Sequence, residues 1–253
     1  MIKRCRITFL LLMMNSELTW SAAPNLKVSI SNSPNLSSHH FNGLINWTSN
    51  YVYRGVTLSD ENPSWQAGLM YQHDAGIFGH VWVTEMEPGA HYGPATENNI
   101  LLGYSRPLSF LWRAQCNITY FKFNGGELGF DDHFHQWQCG VGYDQRYEFR
   151  LSQTNNSYGL RFESLLYEVS YTVPINIAPI NRSIPSIQWR TNVGHWDISD
   201  FVGAPYNFLQ SGLIQSFNNF SYGIHYHWAS SVGRATYKPN AEPGWLVNLS
   251  YNL

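Results

Sequence analysis

Charge is scarce in this 253-residue chain: only 13% of its residues are Asp, Glu, Lys or Arg, against about 25% in an ordinary soluble domain. A water-facing surface depends on such charges, so a conventional soluble globule is disfavoured. Net charge is −2 and no basic patch is in view, which removes the electrostatic case for nucleic-acid binding. Long hydrophobic runs are missing too. No stretch approaches the roughly 20 apolar residues that a membrane-spanning helix requires, and mean hydropathy is slightly negative at −0.29, so helical spans are excluded. Neither a linker nor a repeat divides the chain, and its length suits one domain with a large core or one closed barrel.

Aromatic residues, by contrast, are plentiful, with 10 Trp, 16 Tyr and 14 Phe. Few charges and many aromatics suit a face against lipid, and with helices excluded a β-barrel reconciles the two. The N-terminus reads as a secretory signal peptide over residues 1–23. Lys3, Arg4 and Arg6 precede a short apolar run from Ile7 to Met14, and small residues at Ser21 and Ala23 suit cleavage after Ala23. Cys5 lies before that run instead of at the cut, which argues against lipid attachment. Residues 24–40 then form a short periplasmic segment, and residues 41–253 the barrel.

From Phe41 onward, segments of about ten residues alternate aromatic or aliphatic side chains with polar or small ones, the period of a half-buried strand. In the first, Phe41 to Arg54, Ile45, Trp47, Tyr51 and Tyr53 share one face, with Asn46, Thr48, Asn50 and Arg54 on the other. The fifth is among the clearest: Phe110, Trp112, Ala114, Cys116, Ile118 and Tyr120 alternate with Arg113, Gln115, Asn117 and Thr119. Others centre on Trp65–Tyr71, Ile77–Thr84, Glu97–Tyr104, Trp137–Tyr143, Tyr147–Leu151, Leu165–Tyr171, Ile187–Val193, Tyr206–Ile214, Phe220–Trp228 and Trp245–Leu253. The expectation is an all-β fold: a single closed antiparallel transmembrane β-barrel of about twelve strands, within a range of ten to fourteen.

Connections support this. Long ones after odd-numbered segments, such as 55–63 and 230–243, alternate with short ones such as 73–76 and 144–145, as outer loops and periplasmic turns do in bacterial barrels. Val173–Pro185, with three prolines, is the exception, too long for a periplasmic turn. A soluble sandwich or lipocalin-like barrel would alternate as well. Its outer surface, however, would be charged, whereas these polar faces carry mainly Asn, Gln, Ser, Thr and Gly, and aromatics recur near both strand ends as interfacial girdles do.

The stretch from Asn46 to Leu69, NWTSNYVYRGVTLSDENPSWQAGL, resembles the opening signature of the TorF-type porins, the family also described as the Gcw_chp domain. That resemblance implies an outer-membrane barrel spanning nearly the whole mature chain and a channel role with no established solute. The chain departs from the usual barrel ending, closing on Leu253 where the barrel-assembly machinery expects a terminal phenylalanine.

Candidate functional residues follow from the strand reading. Arg54, Arg113, Gln115, Glu148, Arg150, Glu168 and Arg190 fall on inward faces as candidate pore-lining groups, able to set up a transverse field or to neutralise one another in a filled interior. Asp60 and Glu61 fall in the first outer loop, at the mouth, within reach of Arg54. Cys116 and Cys139 are equidistant from the centre of one hairpin loop and outward-facing, so adjacency and a disulfide are expected. Three histidine pairs, His39-His40, His133-x-His135 and His225-x-His227, invite a metal reading. No third ligand has matching spacing, so no metal site and no cofactor are expected.

The leading function is passive passage of small solutes across the bacterial outer membrane. Its partners are outer-membrane lipid and the assembly machinery, and association between barrels is left open. The rivals are an outer-membrane lipid hydrolase or acyltransferase and a non-conducting structural or adhesin barrel. No nucleophile elbow or comparable motif marks an enzyme, and none is expected.

Overall fold

The structure, a computed structural model, describes residues 38–87, 93–125, 133–175 and 187–253. The signal segment and residues 24–37 lie outside the described residues, as does most of the Val173–Pro185 stretch.

Twelve strands pair antiparallel, each with its neighbour in sequence, and the last closes on the first. They are β1 (His39–Thr48), β4 (Ser64–His73), β5 (Ile77–Met86), β6 (Ala95–Pro107), β7 (Trp112–Gly125), β8 (His133–Tyr143), β9 (Tyr147–Thr154), β10 (Ser164–Ile175), β11 (Ile187–Asp197), β12 (Tyr206–Phe217), β13 (Phe220–Ala229) and β14 (Gly244–Asn252). The closing pair runs from Leu44 opposite Asn252 to Thr48 opposite Asn248. Two-residue strands β2 (Val52–Tyr53) and β3 (Val56–Thr57) make a separate small hairpin. Helices α1 (Ser199–Val202) and α2 (Ser231–Thr236) are short and lie in connections. The expected all-β closed barrel of twelve strands is what the chain forms, and no helix among the described residues is long and apolar enough to cross a membrane.

Alternation places polar side chains inside and apolar ones outside. On β9, Glu148, Arg150, Ser152 and Thr154 are buried while Tyr147, Phe149 and Leu151 are exposed, and β5 turns His80, Trp82 and Thr84 inward against outward Ile77, Val81 and Val83. A closed barrel leaves no free edge, so every wall strand satisfies its backbone groups within the sheet.

Glycines fit the wider inward side chains into this wall. Gly68 lies opposite Trp82, Gly103 opposite Phe78, Gly140 opposite Arg150, Gly194 opposite Phe208, Gly212 opposite His225 and Gly244 opposite His227. A Cβ at Gly194 would stand 2.1 Å from the Phe208 ring, and one at Gly68 2.4 Å from the Trp82 ring. Each side chain lies flat against the wall in the space its glycine leaves.

Two expectations need correcting. The first strand does not run on to Arg54: it ends at Thr48, whose hydroxyl donates to the Asn50 carbonyl at 2.8 Å. The chain then folds inward through β2 and β3, with Arg54 and Gly55 both at positive φ in the turn between them. Tyr51 and Tyr53, expected on the greasy exterior, are therefore 4% and 7% exposed inside the barrel. Period-two spacing persists through both arms of the hairpin, so pattern alone cannot mark where the wall ends. Phe110, expected within the fifth strand, lies in the turn before β7 and is exposed.

Candidate functional site

Among the described residues the buried polar and charged side chains gather in the interior, which has two parts. At the long-loop end, the inward hairpin meets side chains from loops and strand ends in two aromatic clusters. One gathers Val56, Phe162, Leu166, Trp196, Ile198, Tyr206 and Phe208, and the other Tyr51, Met86, Phe121, Phe123 and Phe134. Arg54 fixes the hairpin between them. Its guanidinium lies 4.4 Å from the Trp196 ring centre and 4.6 Å from that of Tyr53, and it donates to Gln136 Oε1 at 2.9 Å. Tyr206 Oη donates to the Arg54 carbonyl at 3.1 Å, and Tyr51 Oη donates to Glu97 Oε2 at 3.0 Å. Within the insert, the Thr57 and Ser59 hydroxyls both donate to Asn50 Oδ1. Asn50, Tyr51, Arg54, Thr57 and Ser59 all belong to the stretch singled out as a signature, so its polar residues build a plug.

Below the plug the wall carries charge on one side. Arg113, Gln115, Glu148, Arg150, Glu168 and Arg190, from β7, β9, β10 and β11, are all buried. Arg150 Nη1 approaches Glu148 Oε2 at 3.3 Å and its Nε approaches Glu168 Oε2 at 3.6 Å, while Nη2 donates to Ser170 Oγ at 3.1 Å. Glu168 Oε1 accepts from Asn192 at 2.8 Å, Glu148 Oε1 accepts from Gln115 at 3.1 Å, and Arg113 donates to Ser105 Oγ at 3.0 Å. Arg190 lies in the field of Arg150, Glu148 and Glu168. Three guanidiniums and two carboxylates thus share one face of the lumen and largely compensate one another.

Six of the seven residues read from sequence as pore-lining stand together on that wall. Arg54 is inside as well, but it comes from the plug. Asp60 and Glu61 are exposed at the rim, apart from the interior where Arg54 lies. Cys116 and Cys139 face each other in register, with Cα atoms 4.1 Å apart and a disulfide between them, on the exterior. His225 and His227 share the inward face of β13, buried, whereas His133 and His135 face outward beside Tyr120. Among the described residues no group of three or more His, Cys, Asp or Glu is arranged to hold a metal ion.

Sequence reasoning passed over Glu97, His80 and Trp82, all buried inside. The inward alternation Glu97, Asn99, Leu101 on β6 was there to be read. The partner of Glu97, Tyr51, was not, because it arrives from a folded-back loop.

Fold and interior together define a closed β-barrel with inverted polarity: an oily exterior, a polar and charged lumen, and an aromatic plug at one end. The chain belongs to the family described as bacterial protein of unknown function (Gcw_chp), whose model matches residues 32–181. No curated protein matches it in sequence. Among solved structures it is similar to LpxR from Salmonella typhimurium, at 8% identity over 84% of this chain and 99% of that one, with a TM-score of 0.50. The KdgM porin aligns at 6% identity over 84% and 98%, with a TM-score of 0.48, and the NanC porin at 8% over the same shares, with 0.49. At such identities the likeness is one of fold alone.

Proposed function

We propose that this chain is a bacterial outer-membrane barrel, exported through its N-terminal segment, that acts as a small porin-like channel passing small solutes passively. The observation that carries the reading is the inverted polarity of the closed wall. Val81, Leu102, Val169 and Val193 stand about half-exposed outside while Arg150, Glu168, Asn46 and His225 are buried within. Lipid is the solvent that favours the first set, and a hydrated path is the use that favours the second. The likeness of its signature to the TorF-type porins supports the same reading.

In this conformation the hairpin of β2 and β3 is packed into the long-loop end, with Val56 in one aromatic cluster and Tyr51 beside it in the other. Passage requires the hairpin of β2 and β3 to leave its aromatic seat, after which solutes exchange hydration water for lumenal amides, hydroxyls and charges. The tightness of the interior favours one other reading, a barrel that never conducts.

Single-channel recording in planar bilayers separates the two. Wild-type protein is expected to open rarely, and Arg54→Ala, which removes both ring contacts and the bond to Gln136, to stay open at least tenfold longer. If neither form conducts while both are folded, the channel reading falls. Lipid hydrolysis by the same samples then tells an enzyme from a structural barrel.

A further inference from the structure

The charged wall attracts attention first, yet its groups are occupied with one another. The opposite side of the lumen differs. There His80 Nδ1, Trp82 Nε1, Asn99 Oδ1, His227 Nδ1 and Asn248 Nδ2 are buried atoms with no hydrogen-bond partner among the described residues. His80, Trp82, Asn99 and Asn248 are each 4% exposed or less. Buried polar atoms of native proteins are nearly always satisfied, and when protein does not do it, water or a ligand does.

These atoms lie along one continuous side. His227 and Asn248 sit on adjacent strands β13 and β14, where Asn248 Oδ1 also meets His225 Nε2 at 3.0 Å. Also on β14, Ser250 donates to Asn46 Oδ1 of β1 at 3.0 Å, and Asn46 Nδ2 donates to Gln66 Oε1 of β4 at 2.6 Å. Two residues beyond Gln66, Gly68 lies opposite Trp82, whose partner on the far side is Asn99, and a Cβ at Gly68 would stand 2.8 Å from His80 Nε2. The glycines beneath Trp82, His225 and His227 keep those rings flat on the wall.

We infer that the permeation path runs along this side, over β13, β14, β1, β4, β5 and β6, where the buried carboxylate of Glu97 already accepts from Tyr51 and Asn99, and that it selects small neutral polyhydroxylated solutes. The reason lies in the mixture of unpartnered atoms. The indole N–H and the Asn248 amide can only donate, Asn99 Oδ1 can only accept, and each imidazole can do one at either nitrogen. An anion would call for donors throughout and a cation for acceptors throughout. A hydroxyl both donates and accepts, so the mixed set matches a chain of hydroxyl groups. The inference rests on the channel reading.

The test uses full-length protein, wild type and in the Arg54→Ala form, reconstituted in liposomes, with swelling in erythritol and conductance in potassium chloride read in parallel. Erythritol is expected to enter. Trp82→Phe, which removes only the indole N–H, and His227→Phe are each expected to slow its entry at least threefold while potassium chloride conductance falls less than twofold, and His227→Gln to restore much of the erythritol rate. Retained heat-modifiability on gels confirms that each variant is folded, and the near-isosteric Trp82→Phe keeps the test open if His227→Phe does not fold. Exclusion of erythritol while ions pass, or equal slowing of both solutes, overturns the inference and leaves the channel intact. Absence of both swelling and conductance from folded protein overturns the channel reading and the inference with it.

Discussion

Adding one methyl group to the barrel wall costs different amounts at different glycines, because only some of them face a ring. At Gly212 a Cβ would stand 2.4 Å from the Ile224 carbonyl oxygen and 2.2 Å from His225 Nδ1, whereas at Gly79 the nearest atom, the Leu101 carbonyl oxygen, is 3.5 Å away. Gly212→Ala should therefore destabilise the barrel by about 1–3 kcal/mol, the usual cost of overpacking. Gly79→Ala should stay within about 0.5 kcal/mol of wild type, and the two urea midpoints compared side by side measure the difference. Charge obeys a similar local logic. Arg150 stands between Glu148 and Glu168, all three nearly inaccessible, so Arg150→Gln leaves two carboxylates buried together. A loss of about 3–5 kcal/mol is expected, again from urea unfolding. Tyr237, in the connection before β14, is pushed up to about 12 by burial, against a smaller downward pull from Arg54. A phenol whose folded pKa exceeds its unfolded value of about 10 adds stability that is complete below pH 10 and lost as pH rises towards 12. Near-UV circular dichroism should register alkaline loosening of the plug in that window, and Tyr237→Phe should shift it upward.

Among the elements, the β7–β8 hairpin was legible in register, though not at its first boundary, because its two cysteines constrain the pairing as well as the alternation does. Cys116 opposite Cys139 also fixes Ile118 opposite Trp137 and Ala114 opposite Val141. A disulfide closing a loop of this separation, 23 residues, is worth about 3 kcal/mol. The double variant Cys116→Ser/Cys139→Ser should keep its strand content and lose stability of that order, and non-reducing peptide maps of wild type should join the two cysteines. The insert of β2 and β3 behaved differently. Its residues continue the period of β1, so periodicity assigned Tyr51 and Tyr53 to the wall. Departure from the wall depends on the turn at Arg54 and Gly55 and on the seat offered by Trp196, Tyr206 and Gln136, residues more than 80 positions away in sequence.

For the molecule as a whole, the discriminating question is which solvent the exterior meets. Val169, near the middle of β10, faces outward at 51% exposure. In a soluble barrel Val169→Arg would be close to neutral. In a bilayer it should cost about 2–4 kcal/mol, and Ile77→Arg at a strand end only about 0–1 kcal/mol. Folding titrations in lipid vesicles measure both, and equal costs would argue against a membrane exterior.

The sequence by itself determined the class of fold, a wall of about twelve strands and the face on which their side chains lie, because period two is a local property and each strand repeats it independently of the others; closure at twelve came from the structure. It also placed the charges of β7, β9, β10 and β11 inside. Only the tertiary structure decided that those charges lie beside one another, that the signature loop turns back into the mouth, and that five unpartnered donors and acceptors line the opposite wall. Those outcomes depend on which strands stand across the lumen from one another. That neighbour relation is created by closing the barrel, and no stretch of sequence encodes it alone.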